Sequence, residues 1–403
     1  MNSSFDDIPG RLDKLERRSM YRRRRVIESP QGREVVIDGQ RLLNFCSNDY
    51  LGLASDDRIG QALKQGVDRW GVGAGASHLV CGHTAAHHEL EDALAEMTGR
   101  PRALFFSSGY AANLGIINAL VGAHDWIFED RLNHASLLDG GWISRARFEF
   151  YDHLSVDDLD ARLDESDGGR RLIVTDGIFS MDGDRCLLAD LTSVADRHAA
   201  WLMVDDAHGF GVIGEQGAGS VDPEVFDTRQ VPVLMATLGK AVGTSGAFVA
   251  GDDSLIEFLI QRARNYIYTT ALPAAVAVAT LTSLKIVKSE NWRREKLAEL
   301  ISRFRAGMHE LGIDLLPSDT PIQPVIVGDA NAALAVSQAL ETRGFLITAI
   351  RPPTVPQGTS RLRITLTAAH TNEDVDRLVS ALAEVLGEVL GDDLDSGDKR
   401  TAR

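Results

Sequence analysis

Five short apolar runs constrain the fold of this chain more than any other feature: Ala103-Leu-Phe-Phe106, Leu172-Ile-Val-Thr175, Trp201-Leu-Met-Val204, Val233-Leu-Met-Ala236 and Ala247-Phe-Val-Ala250. Their apolarity is continuous rather than alternating, the pattern of strands buried on both faces in a parallel sheet covered by helices. Helices are expected between them at 85–97, 111–121, 155–163 and 188–197, which makes the chain α/β, with a mainly parallel central sheet and helices on both faces. Further on, charged helices at 292–311 and 330–343, strands at 345–350 and 361–366 and an amphipathic helix at 372–390 read as a smaller α+β domain. The expected organisation is an N-terminal arm (1–52), a large domain (53–285), a small C-terminal domain (286–390) and an acidic tail (391–403) too polar to order itself.

In such sheets ligands sit beyond the carboxyl ends of the strands. The residues at those ends are Ser107-Ser108-Gly109-Tyr110, Asp176 to Ser180, Asp205-Asp206-Ala207-His208 and Thr237-Leu238-Gly239-Lys240. A lysine at such an end either snorkels to water or is desolvated, and desolvation lowers an amine's pKa as imine chemistry requires. Its company favours the second reading. Asp205 can pair with a protonated pyridine nitrogen, and Ser108-Gly109-Tyr110 opens a helix whose N-terminus suits a phosphate. Lysine, acid and phosphate cradle together equip a chain for pyridoxal 5'-phosphate.

Competing motifs are weaker. Gly209-Phe-Gly-Val-Ile-Gly214 matches G-x-G-x-x-G, but Asp205 to His208 intervenes after the strand and no good helix opening follows. Gly71 to Ala76 follows a helical stretch, 59–70, instead of a strand, so a nicotinamide dehydrogenase is disfavoured. His83 and His87 lie four apart near Cys81, yet no glutamate follows the first histidine and no third ligand stands out. They read as cap or packing residues, and no metal is expected. The 42 basic and 58 acidic residues give a net charge of −16, which argues against nucleic acid or an anionic membrane as partner, and the Arg22–Arg25 run lacks a wider basic face. Three scattered cysteines, no signal-like start and no apolar stretch of membrane length point to the cytoplasm.

At the same residues the chain resembles the α-oxoamine synthases, pyridoxal-phosphate enzymes of fold type I that join an amino acid to an acyl thioester with loss of CO2. The matching segments are Asn44 to Leu53 (NFCSNDYLGL), Ser107 to Asn113 (SSGYAAN), Asp130 to Ser136 (DRLNHAS), Gly177 to Asp184 (GIFSMDGD), Val204 to Gly209 (VDDAHG) and Thr237 to Lys240 (TLGK). Ala349 to Pro356 and Arg361 to His370 are similar to the biotin-pathway branch, which condenses L-alanine with pimeloyl-CoA or pimeloyl-acyl-carrier protein. The aminolevulinate and aminoketobutyrate branches carry other residues in place of Arg-Pro-Pro-Thr.

The resemblance implies roles residue by residue. Lys240 holds the cofactor as an internal aldimine and then moves the Cα proton. Asp205 keeps the ring nitrogen protonated, His134 stacks on the ring, and His208 and Ser180 address its phenolic side. Gly109, Tyr110 and Thr237 fix the phosphate and ring edge, and Thr269 and Thr270 reach the phosphate of the neighbouring chain in a homodimer. Asn48 and Arg363 hold the alanine carboxylate, while Arg22, Arg351 and Thr354 meet the acyl donor. The sequence departs from the family at Asp176, where glutamate is common, at Ala241-Val242, where glycine is more usual, and at His78, where arginine is frequent.

Overall fold

A computed structural model describes Phe5 and residues 7–391. All but the first residue of the expected acidic tail lies outside the described residues. The chain divides into two compact units, one of residues 48–180 and 184–296, the other of the described part of 1–47 and 297–403 together with 181–183.

The first unit is built on a seven-stranded sheet. Its order is Arg102–Phe106, Ala247–Gly251, Val233–Thr237, Trp201–Asp205, Arg171–Asp176, Trp126–Asp130, Arg147–Tyr151. Every pairing is parallel except those of Ala247–Gly251, which runs antiparallel to both neighbours. Alternate residues of each strand feed opposite faces. Leu172 and Val174 pack with Ile116, Ile117 and Leu259 on one side, while Ile173 and Leu202 pack with Leu159, Leu163, Leu191 and Val194 on the other. Side chains of this size gain about 1.5–3 kcal/mol each on full burial, so both helical layers are held by the sheet rather than by their own propensity. All five apolar runs lie in this sheet, and the expected helices form at Ala85–Met97, Gly109–Leu120, Val156–Glu165 and Leu188–Arg197.

The second unit holds two three-stranded sheets. Glu34–Ile37 and Gln40–Asn44 form a hairpin that Phe345–Leu346 extends in parallel, and Ile322–Gly328, Ser360–Thr365 and Thr348–Ile350 form an antiparallel sheet. The segment read as one strand at 345–350 is therefore two, with Ile347 changing sheets. Of the segment read as an arm (1–52), the described part of 1–47 belongs to this unit and 48–52 to the first; the former is tied in by strand pairing and by Arg33, whose guanidinium forks onto Asp374 at 2.6 Å twice. Asp374 also closes a capping box with Thr371 at the start of the Asn372–Leu390 helix. Among the described residues no helix is long and apolar enough to cross a membrane.

Candidate active site

Lys240 stands on the loop between Val233–Thr237 and Ala247–Gly251. Leu238 N–H donates to the Gly246 carbonyl at 2.9 Å, Gly243 N–H to the Lys240 carbonyl at 2.9 Å, and Thr237 Oγ1 to the Gly246 carbonyl at 3.0 Å. So braced, the lysine places Nζ 2.8 Å from Nε2 of His208, which follows the neighbouring strand Trp201–Asp205. On its other side His208 Nδ1 lies 2.7 Å from the hydroxyl of fully buried Tyr50, and that hydroxyl donates to Asn48 Oδ1 at 3.1 Å. Because Tyr50 spends its proton on Asn48, its oxygen accepts from His208 Nδ1–H. The Nε2 lone pair then faces the lysine amine.

Asp205 ends the same strand. Its Oδ2 accepts from Asn113 Nδ2 at 2.7 Å and its Oδ1 from Ala207 N–H at 3.0 Å. Asn113 also donates to Ser136 Oγ at 2.8 Å, and Ser136 Oγ lies 2.7 Å from His134 Nδ1. Ser136 N–H is a further donor to that nitrogen, so Nδ1 is the acceptor and the His134 proton sits on Nε2. The backbone N–H of His134 is anchored to Asp176 Oδ2 at 2.7 Å. Desolvation lowers the His134 pKa, with Lys240 acting in the same direction and Asp205 against it. Burial raises that of Asp176 far above the usual carboxylate range, helped by the charge of Asp205. His134, Asp205 and Lys240 thus lie within each other's fields, with the His134 ring fixed along its Nδ1 edge.

The Gly109–Leu120 helix begins beside this group. Ser108 caps it by accepting from Ala111 N–H at 3.2 Å, and the N–H groups of Gly109 and Tyr110 have no intrahelical acceptor, which leaves two donors at the positive end of the helix dipole. The Tyr110 phenol is hydrogen-bonded to Asp139. Thr237 spends its hydroxyl on the lysine loop. Ser180 lies in the turn after Arg171–Asp176, and Thr270 forms an isolated bridge with Ser77, leaving its side chain exposed and Thr269 half-buried. The G-x-G-x-x-G segment is followed only by a single 3₁₀ turn at Glu215–Gly217, so it opens no phosphate-binding helix. In the second unit Arg363 is buried in Ser360–Thr365, Arg351 donates to the Ser19 carbonyl, and the exposed Thr354 hydrogen-bonds through its N–H to the Arg351 carbonyl. Arg351 lines a cavity of about 560 Å³ with Tyr21, Arg23, Arg25 and Thr348. Arg22 is exposed on the groove between the Ile8–Arg17 helix and the arginine run.

The residues fit pyridoxal 5'-phosphate. Each Asp205 oxygen accepts one N–H bond, and an ionised carboxylate has capacity for more, here a ring N–H. The Lys240 amine, the His134 imidazole and the helix N-terminus supply the remaining functions. Sequence reasoning assigned nothing to Asn113, Ser136 or Tyr50, although all three lie within the matching segments.

A family model described as aminotransferase class I and II matches residues 40–382. The 8-amino-7-oxononanoate synthase of Nitrosococcus oceani is 59% identical over 93% of this chain and 100% of its own length. Among solved structures, serine palmitoyltransferase from S. paucimobilis with a bound PLP–myriocin aldimine is 30% identical over 96% of this chain and 98% of that one, with a TM-score of 0.90. The 8-amino-7-oxononanoate synthase of Francisella tularensis is 31% identical over 86% of this chain and 98% of that one, with a TM-score of 0.76. The fold is thus that of the fold type I enzymes, a pyridoxal-phosphate-dependent class. Within it, the chain belongs to the 8-amino-7-oxononanoate synthase family, a branch of the α-oxoamine synthases.

Proposed function

We propose that this protein condenses L-alanine with pimeloyl-CoA or pimeloyl-acyl-carrier protein, releasing CO2 and the free thiol carrier and giving 8-amino-7-oxononanoate for biotin synthesis. The observation that carries the chemistry is the Lys240 amine set 2.8 Å from His208 Nε2, beside the Asp205–Asn113–Ser136–His134 network. The names of the relatives carry the choice of substrates.

Bound pyridoxal 5'-phosphate supplies an electron sink for the carbanion formed at the amino-acid Cα. The protein's residues do the rest. Lys240 Nζ would hold the cofactor through its reactive carbon and, with alanine bound, would take the proton from the amino-acid Cα. His208 keeps a lone pair toward Nζ and so accepts a hydrogen bond that orients the amine. Asp205 would accept from the ring nitrogen, His134 would stack on the ring and Ser180 would meet its phenolic side. Gly109 and Tyr110 offer N–H donors to the phosphate, and Thr237 sets the lysine loop. We assign Asn48 and Arg363 to the amino-acid carboxylate and Arg22, Arg351 and Thr354 to the acyl donor, with the arginine run steering a phosphorylated carrier by local field. The same reading makes the protein a cytoplasmic homodimer in which Thr269 and Thr270 serve the neighbouring chain's cofactor phosphate.

The test is optical and then kinetic. Cofactor-reconstituted protein shows a visible absorption band that responds to L-alanine and is absent from Lys240→Ala. Turnover is then compared for pimeloyl, acetyl and succinyl thioesters with alanine or glycine. A colourless reconstituted protein overturns the enzyme reading, and a preference for glycine with acetyl-CoA overturns the choice of substrates.

A further inference from the structure

The segment 78–83 and the first turn of the Ala85–Met97 helix together gather four histidines, His78, His83, His87 and His88. The sequence pairs His83 with His87, but the structure spends both His87 nitrogens on structure. Nδ1 accepts from the Thr84 N–H at 3.1 Å in a capping box, and Nε2–H donates to the Leu272 carbonyl at 2.7 Å. His83 turns instead toward two residues one turn apart on the helix, His88 and Glu91. The ligating atoms of His83, His88 and Glu91 all lie within 4.8 Å of one another, and His83 Nε2 is 3.9 Å from Glu91 Oε2, too far for a hydrogen bond.

We propose that His83, His88 and Glu91 form a binding site for a divalent first-row transition metal of the Zn2+ class. Two imidazoles and one carboxylate are a ligand set this class favours. Ligands about 2.0–2.2 Å from a tetrahedral ion stand about 3.3–3.6 Å apart, so the three atoms need only a small inward movement. His88 can make it, because its side chain is 68% exposed. The other two ligands are already oriented from behind, as metal ligands generally are. Glu91 Oε1 accepts from Phe105 N–H at 2.9 Å, which aims Oε2 outward. His83 Nδ1 lies 3.0 Å from His78 Nδ1. A metal on His83 Nε2 requires the proton on Nδ1, and His78 is placed to accept it. The three ligands line a cavity of about 340 Å³ with Asp92, which adds negative charge, and Arg102, whose guanidinium is drawn off by Glu257 at 3.4 Å. That space leaves room for water to complete the coordination.

The test uses the holoenzyme, stripped with a chelator, returned to metal-free buffer and titrated with Co2+ and Zn2+. The expected result is one ion retained per chain, with Co2+ ligand-field bands to the red of the cofactor's absorption. His83→Ala and His88→Ala each weaken binding by about tenfold or more, while Cys81→Ala, a change at the nearby exposed thiol, leaves it intact. Far-UV circular dichroism identical to that of the unaltered protein shows that the histidine variants fold. Failure to retain an ion, affinity unchanged in both histidine variants, or loss of binding in Cys81→Ala overturns the proposal.

Discussion

The amine of Lys240 lies 2.8 Å from Nε2 of His208. With the Nδ1 proton committed to Tyr50, the imidazole can only accept at Nε2, so it orients the amine without competing for its lone pair. In His208→Phe the amine loses this partner while the cofactor's covalent anchor is kept. The visible band therefore persists, and kcat falls roughly 100-fold, the scale of loss when a reacting group is misplaced by about 1 Å. Stopped-flow absorbance and steady-state turnover check both; unchanged kcat sinks the assignment.

Tyr50→Phe tests the same chain one step further back. The substitution leaves the buried His208 Nδ1–H without its acceptor, an omission that costs about 1–3 kcal/mol, and frees the ring to present either tautomer. The expected outcome is a shifted limb in the pH profile of kcat with KM for alanine little changed. A purely structural role would lower thermal stability and leave that profile where it was.

Gly243 gives the lysine loop its shape. It has φ +70°, and a Cβ there would come within 2.6 Å of Ala54 N and the Leu53 carbonyl carbon, both backbone atoms that cannot step aside. Gly243→Ala must move the loop that aims Lys240, at a cost of about 1–3 kcal/mol for the left-handed conformation alone. We expect a lower melting temperature together with weaker cofactor retention, measured by dialysis against cofactor-free buffer.

Much of this was legible in the sequence because it is local. The five apolar runs fall in one sheet, and Lys240, Asp205 and His208 follow strand ends, where a short window suffices to find them. Two strands of that sheet escaped such reading. Trp126–Asp130 ends in two acids, and their burial makes sense only once Asn133 donates to Glu129 and His153 lies against Asp130. Arg147–Tyr151 is an edge strand with only its last residue buried. The Ala135–Ser144 helix escaped because Gly140 and Gly141 argue against one. Yet a Cβ at Gly141 would come 2.1 Å from the Phe148 ring, so the glycine is what lets the helix approach. The hidden part of the site is hidden by distance along the chain: Asn113 is 92 positions from Asp205, and Tyr50 is 158 from His208. No periodicity connects such pairs; only the family match covered them, and it assigned them no role.

A pH dependence of stability follows from His153, whose Nδ1 lies 2.9 Å from Asp130 and whose Nε2 lies 2.7 Å from Asp184. Burial alone would lower its pKa, but the two carboxylate hydrogen bonds outweigh that and raise it to about 9. The folded state therefore holds a proton that the unfolded chain releases near pH 6.5. The stabilisation is fully present below pH 6.5, declines as pH rises and is gone above about pH 9, the sign required when the native state binds more protons. Its size at the acid end is on the order of 1–3 kcal/mol. Denaturant titrations of the wild type and His153→Gln at pH 6 and pH 9 measure it. The gap between the two proteins should shrink at the higher pH, and a gap that is constant or grows would show that the ring is neutral in the folded protein.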